Sequence, residues 1–432
     1  MRYNGVRPLG LSDQYFYYVQ SGLGASFNLR LHVNLRDALN RTALQDAAQK
    51  ALKNFPEFSV RPVVQEEHLF YEENDSPVSL FDDDGTFHVL GSDETNGYLF
   101  CLRCRDDGFT FSYYHGMTDI LGAMVFLRTI LCFYAGITSV PENGLVRFSA
   151  EPAFLMDEAE RFDPYRKFAA ESFTQQEYDA FVIPEKNYPG DPAYLHLFNV
   201  KVRTSDFIAR TKELGTSFIP LMSIIFSGAV TDMYGFDESR PVIAMVPVNL
   251  RPVFGTETLV NISDGIMLPY SRELASKPIR EQGAEIRAQM KSMITRGNFA
   301  DVLAAKSSAV QAFRSSGDTL NVTAERFTRP APEGTKRPLT YALTYPGRMD
   351  LPEAFSELVR SIDVDIIARA FGAGVYTYGD DMTFQFMQRF DTDAVIRSVM
   401  SRLESLGVMV QSLEDRGRVM CDKVLAERLK RI

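Results

Sequence analysis

The polarity of this chain runs in two rhythms. Between residues 26 and 35 it changes at every step: Phe27, Leu29, Leu31, Val33 and Leu35 share one face, and Asn28, Arg30, His32 and Asn34 share the other. A period of two predicts a strand with one buried face, and it puts His32 on the solvated side. The period then lengthens. Leu44, Ala47, Ala48, Ala51, Leu52 and Phe55 follow helical spacing, with Asn40 or Thr42 placed to cap the helix and Pro56 to stop it. Two strands are expected over 60–65 and 68–72. His68 and His88 stand among acidic and polar residues, which predicts exposure. Next, 98–104 and 109–115 flank Asp107-Gly108, a hairpin signal. Phe109, Phe111, Tyr113 and His115 fall on one face of the second strand; Thr110, Ser112 and Tyr114 fall on the other. His115 therefore ends an apolar face where a core strand opens into a loop. Asp119 follows four residues later and begins an apolar helix that runs to about residue 135.

From 156 to 192 the chain turns polar and irregular, with Asp163-Pro164 and Tyr188-Pro-Gly-Asp-Pro192, and a crossover between two halves is expected there. The second half opens with a strand over 195–202 that contains His196. A helix capped by Ser205 and ended by Gly215 follows, then a very apolar helix to Tyr234 and a buried strand from Val242 into Val248-Asn249-Leu250-Arg251. Helices are expected over 278–294 and 301–313, a strand over 339–347, and a hairpin over 374–378 and 382–389. A last helix over 393–406 closes the fold. Strands and helices mix in both halves, so the fold class is α/β. The organisation is an N-terminal lobe over 1–165, a linker over 166–192 and a C-terminal lobe over 193–432.

Composition narrows the function. The 432 residues carry a net charge of −10, with 45% apolar and 24% charged residues. A chain of this length accommodates roughly two or three domains. Its acidity argues against a general nucleic-acid or anionic-membrane surface, which needs a basic face. Four cysteines do not make a disulfide scaffold. Cys101-x-x-Cys104 has no second pair to complete a zinc site, and on a strand its side chains point to opposite faces, so both read as core thiols and no metal is expected. Without an apolar signal region or a run long enough to span a bilayer, the protein is expected to be soluble and cytoplasmic. No Gly-x-Ser-x-Gly, P-loop or His-Glu-x-x-His is present.

The stretch His115-Gly-Met-Thr-Asp119, between a buried strand and a buried helix, resembles the H-x-x-x-D motif of acyltransferases built on the chloramphenicol acetyltransferase fold. That superfamily includes peptide-synthetase condensation domains and alcohol O-acetyltransferases. A second match lies more than a hundred residues away: Val248-Asn249-Leu250-Arg251, a glycine-bearing loop, then Asn261-Ile-Ser263-Asp264-Gly265 resembles the second lobe, especially of alcohol acetyltransferase-like members. The strand ending in Thr344-Tyr-Pro-Gly347 is similar to the Ser-Asn-x-Gly strand end of condensation domains. The resemblance implies two similar lobes with a substrate tunnel between them. It implies an acyl group moved from acyl-CoA, as co-substrate and with no permanently bound cofactor, to the hydroxyl or amine of a small acceptor. Tyr114 replaces the first His of the family's H-H pair, and Ile120 replaces the usual Gly after Asp. Two further readings remain: a condensation-type enzyme whose donor is an acyl-carrier protein, and a non-catalytic binding member.

A neutral histidine suits the removal of one proton from a weak nucleophile, and the resemblance gives that role to His115. It implies that Asp119 turns away from substrate to pair with an Arg, here Arg251; helix capping is the other reading of Asp119. It places Thr344 as an oxyanion donor, with Ser263 and Tyr376 as lesser candidates. Lys336 and Arg337 precede that strand and are candidates to meet coenzyme A phosphates.

Overall fold

The computed structural model describes residues 6–21, 28–65, 68–86, 88–137, 146–149, 156–174, 176–189, 194–315, 319–320, 322, 335–349, 351–366 and 371–420. Phe27 and residues 190–192 of the expected strand and crossover lie outside them. Two large sheets dominate. The first half supplies β1 (Val6–Pro8), α1 (Leu11–Ser21), β2 (Asn28–Leu35), α2 (Arg41–Leu52), β3 (Val60–Gln65), β4 (His68–Glu73), β5 (Leu80–Asp82), β6 (Phe100–Arg105), β7 (Gly108–Tyr114) and α3 (Ile120–Tyr134). Short helices α4 (Glu158–Phe162) and α5 (Pro164–Phe168) lead into the crossover. The second half supplies β8 (Tyr194–Arg203), α6 (Thr204–Glu213), α7 (Phe218–Tyr234), β9 (Val242–Asn249), α8 (Arg251–Phe254), β10 (Ser263–Tyr270), α9 (Arg272–Ala275), α10 (Ile279–Met293) and α11 (Arg296–Arg314). It ends with β11 (Tyr341–Arg348), β12 (Val359–Ile366), β13 (Gly372–Tyr378), β14 (Asp381–Gln388), α12 (Ala394–Ser405) and β15 (Val410–Met420).

The five-stranded sheet has the order β12-β2-β7-β6-β5 and the seven-stranded sheet the order β10-β9-β11-β13-β14-β8-β15; β1, β4 and β3 form a third. Strand β12, late in sequence, thus pairs with β2 of the first half, with Asp363 opposite His32 and Asp365 opposite Arg30. A cut at residues 166–192 therefore does not separate the sheets. The apolar face of β2, β6 and β7 packs on α2 and α3. Phe126 of α3 sits among Phe55, Phe58, Phe100 and Phe111, with ring centroids 4.9–5.7 Å from its own, where edge contacts add to area burial. In the second half Phe226 of α7 stacks over Tyr341 and Phe386.

Several expectations need correction. His32 is only partly exposed: it bonds Asp365 of β12 at 2.8 Å and Thr110 of β7 at 2.9 Å, Asn28 and Arg30 on the same face are buried, and Asp365 in turn meets Gln385 and Arg416 of the seven-stranded sheet. His88 is also buried, stacked on Phe81 at 3.8 Å with Nδ1 2.6 Å from Glu94; His68 is exposed. Ser205 is not the cap of α6, because β8 runs to Arg203 and the helix starts at Thr204; its amide is met instead by Asp380 at 2.9 Å. The helix expected over 301–313 begins earlier, at Arg296. The last helix does not close the fold, because β15 follows and pairs along β8. Its Glu-Asp-Arg-Gly-Arg run reads as loop, and such charges suit an edge strand that must not recruit another chain. Strands β10 and β12 were also not foreseen.

Candidate active site at the lobe junction

His115 directly follows β7, in the turn before α3. Tyr114 is buried beneath that turn with its hydroxyl on the Asp13 carbonyl at 2.5 Å. Its ring lies so close that a Cβ at Gly116 would fall 2.3 Å from it, so the turn needs glycine there. The imidazole rests on Phe16 of α1, ring centroids 4.7 Å apart. Its Nδ1 lies 3.2 Å from the Thr118 carbonyl. A carbonyl only accepts, so this bond places the proton on Nδ1 and leaves Nε2 with its lone pair. Burial pushes the imidazole below its ordinary 6.5; Thr118 and Asp119 act the other way, and the Lys306 charge adds to the lowering. The ring is thus kept neutral.

Asp119 does both things expected of it as alternatives. Oδ1 accepts the amides of Leu121 and Gly122, each at 3.1 Å, and so caps α3. Oδ2 accepts Arg251 Nη1 at 2.8 Å and the Ile262 amide at 3.2 Å. Arg251 also donates to the carbonyls of Thr258 at 2.7 Å and Val260 at 3.1 Å. Both side chains are largely buried. The pair therefore staples the 251–262 loop of the second half onto the start of α3. Thr118 donates to the Leu259 carbonyl at 2.6 Å. A Cβ at Gly122 would stand 2.2 Å from that carbonyl oxygen, so the close approach needs glycine there, not at position 120. Asn261 completes the junction, donating to the His115 carbonyl at 2.9 Å and accepting from Ser263 at 3.0 Å.

The other candidates are more scattered. Thr344 lies half-buried on β11, beside the register shift that interrupts the pairing of β11 with β13; among the described residues no hydrogen bond joins it to His115. Ser263 is nearer in the hydrogen-bond network, and Tyr376 points its hydroxyl at Asp363, 3.4 Å away. Lys336 is exposed and 2.7 Å from Glu177. Arg337 is exposed, its backbone tied to Asp179 and Ala180 of the crossover. Cys101, Cys104 and Cys132 are buried free thiols. Among the described residues, no group of three metal-ligating side chains converges, and no single helix is long and apolar enough to cross a membrane.

Sequence reading missed α1 and with it Phe16, and it missed Lys306 of α11. The lysine had a signal: it is the one charge in Val302-Leu-Ala-Ala-Lys306-Ser-Ser-Ala-Val310. It lies 2.6 Å from Asp264, under the rings of Tyr15 and Tyr165 at 4.7 and 5.8 Å. Burial works against its charge, but Asp264 and the two tyrosines outweigh that and hold the ammonium above its usual range.

No protein-family model matches the chain, and no curated protein matches it. Solved structures do. Polyketide synthase associated protein 5 from Mycobacterium tuberculosis superposes with a TM-score of 0.57 at 15% identity, covering 92% of this chain and 97% of that one. The starter condensation domain of rhizomide synthetase, in complex with C8-CoA and Leu-SNAC, gives 0.60 at 12% identity over 93% and 94%. TRI101 of F. graminearum, complexed with coenzyme A and T-2 mycotoxin, gives 0.59 at 10% identity over 93% and 97%. The fold is therefore the two-lobed α/β fold of the condensation domains and CoA-dependent acetyltransferases.

Proposed function

We propose that the protein is an acyltransferase that moves an acyl group from acyl-CoA to the hydroxyl or amine of a small acceptor, with His115 as general base. The observation that carries this reading is the orientation of His115. Its Nδ1 is tied to the Thr118 carbonyl, so Nε2 is the basic nitrogen, on a ring whose burial keeps it neutral. Nε2 takes the proton of the acceptor as its oxygen or nitrogen attacks the thioester carbonyl. The tetrahedral intermediate then collapses, the carbon–sulfur bond breaks, and the proton passes to the departing thiolate. No acyl-enzyme forms. Asp119 and Arg251 act as positioning residues that hold the loop under His115. Thr344 is the proposed donor to the oxyanion, from β11, which would border a tunnel between the lobes.

The test is thiol release from acyl-CoAs of graded chain length with mixed alcohols and amines. Positioned base catalysis is worth about 10²–10⁴-fold, so His115→Ala should lose that much turnover while keeping its circular dichroism and melting temperature. A folded, fully active His115→Ala variant overturns the base assignment. Because the imidazole is held below 6.5, the acidic limb of kcat/KM should lie below pH 6.5; a limb above it would contradict the neutral ring.

A further inference from the structure

A cavity of about 730 Å³ opens beside the Lys306–Asp264 pair, between β10, α11 and the crossover. That is the size of a small-molecule pocket. Met267, Met293, Phe299 and Val302 form its apolar wall, and Lys306 and Asp264 are its largely buried polar groups. Asp264 follows Ser263, which connects through Asn261 to the His115 carbonyl, and the Lys306 charge is felt at His115. The cavity thus adjoins the hydrogen-bonded junction that carries His115, although His115 does not line it.

We propose that this cavity selects an uncharged, largely apolar molecule carrying an oxygen function, gripped by Lys306 as donor and Asp264 as acceptor; resting on the acyl-transfer reading, that molecule is the acceptor, held here by an oxygen other than the group that His115 deprotonates. Three observations support the class. The wall is apolar. The buried pair is neutral as a unit, so a second charge brought against it would be desolvated without a matching partner. Lys336 at the lining is exposed and paired with Glu177, and Asp301 adds a negative charge, so the wall offers a polyphosphate or a carboxylate no buried cation beyond Lys306, itself paired with Asp264. A hydroxyl both donates and accepts, and so can satisfy an ammonium and a carboxylate side by side.

The experiment is displacement of the neutral apolar dye Nile red from the purified chain by 1-decanol, decanoate or decylamine at pH 7.5, with no acyl donor present. Decanol should displace it at least tenfold more tightly than either charged homologue. Val302→Trp, which fills the cavity, should lower dye and decanol affinity at least tenfold. The Lys306→Met/Asp264→Asn double variant leaves no unmatched buried charge. It should keep dye binding and lose about tenfold in decanol affinity. Decanoate or decylamine binding as tightly as decanol, an unaffected Val302→Trp, or a double variant with unchanged decanol affinity would each overturn the proposal. Because no transfer is measured, an enzyme that fails to release thiol leaves this result standing, and failed binding leaves the assignment of His115 standing.

Discussion

Two buried carboxylates join the halves of this molecule, and they are built differently. Asp119 is saturated mostly by backbone: three amides and one guanidinium. Asp365 is held entirely by side chains, those of His32 at 2.8 Å, Arg416 at 2.8 Å and Gln385 at 2.7 Å. The first fixes the path of a loop, because its partners are the chain itself. The second fixes the seating of one sheet on another, because β2 and β12 belong to the five-stranded sheet and β14 and β15 to the seven-stranded one. Gln385 also reaches the backbone of β12, accepting from Ile366 and donating to Val364, both at 2.7 Å. A backbone-saturated carboxylate controls local shape at the site; a side-chain-saturated one controls how two bodies dock.

Substitutions should separate the two. The largest effect is expected from Asp119→Ala, which strips the cap of α3 and leaves Arg251 without its carboxylate. Removing one partner of a buried pair costs about 3–5 kcal/mol, so both melting temperature and turnover should fall. An unchanged melting curve would show that the loop is held by its other bonds.

Asp365→Ala should cost stability on the same scale, about 3–5 kcal/mol, while leaving turnover per folded molecule near wild type. A selective loss of turnover would mean that sheet docking shapes the site after all. The Asp365 carboxyl lies well below the usual carboxylate range: burial opposes the charge, but His32, Arg416 and Arg30 outweigh it. Its contribution is therefore complete above the unfolded carboxylate range, near pH 4, and declines as pH falls towards the folded value. Wild type should lose stability over that acid range more steeply than Asp365→Ala, as measured by denaturant melts between pH 3 and 7. Parallel curves would remove the carboxylate from the acid response.

The smallest effect is expected at Gly122. Its Ala variant drives a methyl into the Leu259 carbonyl, and overpacking of this kind costs about 1–3 kcal/mol. The loss should appear in both stability and turnover, because the 251–262 loop must move. A neutral result would show that the close approach at Gly122 is not needed.

Much of the fold was legible because its elements follow their own periodicity. The 41–52 helix, capped by Asn40, one of the two caps its sequence offers, and the β6–β7 hairpin are local decisions. The Asp119–Arg251 pair was reached through resemblance; spacing alone left capping and pairing as rivals, and the structure makes them one arrangement. What failed were readings of solvent. Alternation predicts a solvated polar face for β2, because it reports a difference between two faces and not what covers each. Strand β12 was invisible as a partner of β2, since nothing local marks a pairing across more than three hundred residues. Lys306 stood out only as a charge in an apolar helix. Its meaning needed Asp264, Tyr15 and Tyr165, brought from a strand and two helices.

The sequence by itself determined β6, β7 and α3 on either side of His115 and their buried faces, because side-chain spacing and caps act within a few residues, but not α1, on whose Phe16 the ring rests. Tertiary structure alone decided which polar groups leave water, which carboxylate meets which arginine, and where a cavity opens beside a buried ion pair. Those outcomes depend on surfaces that meet only when the two halves close on each other.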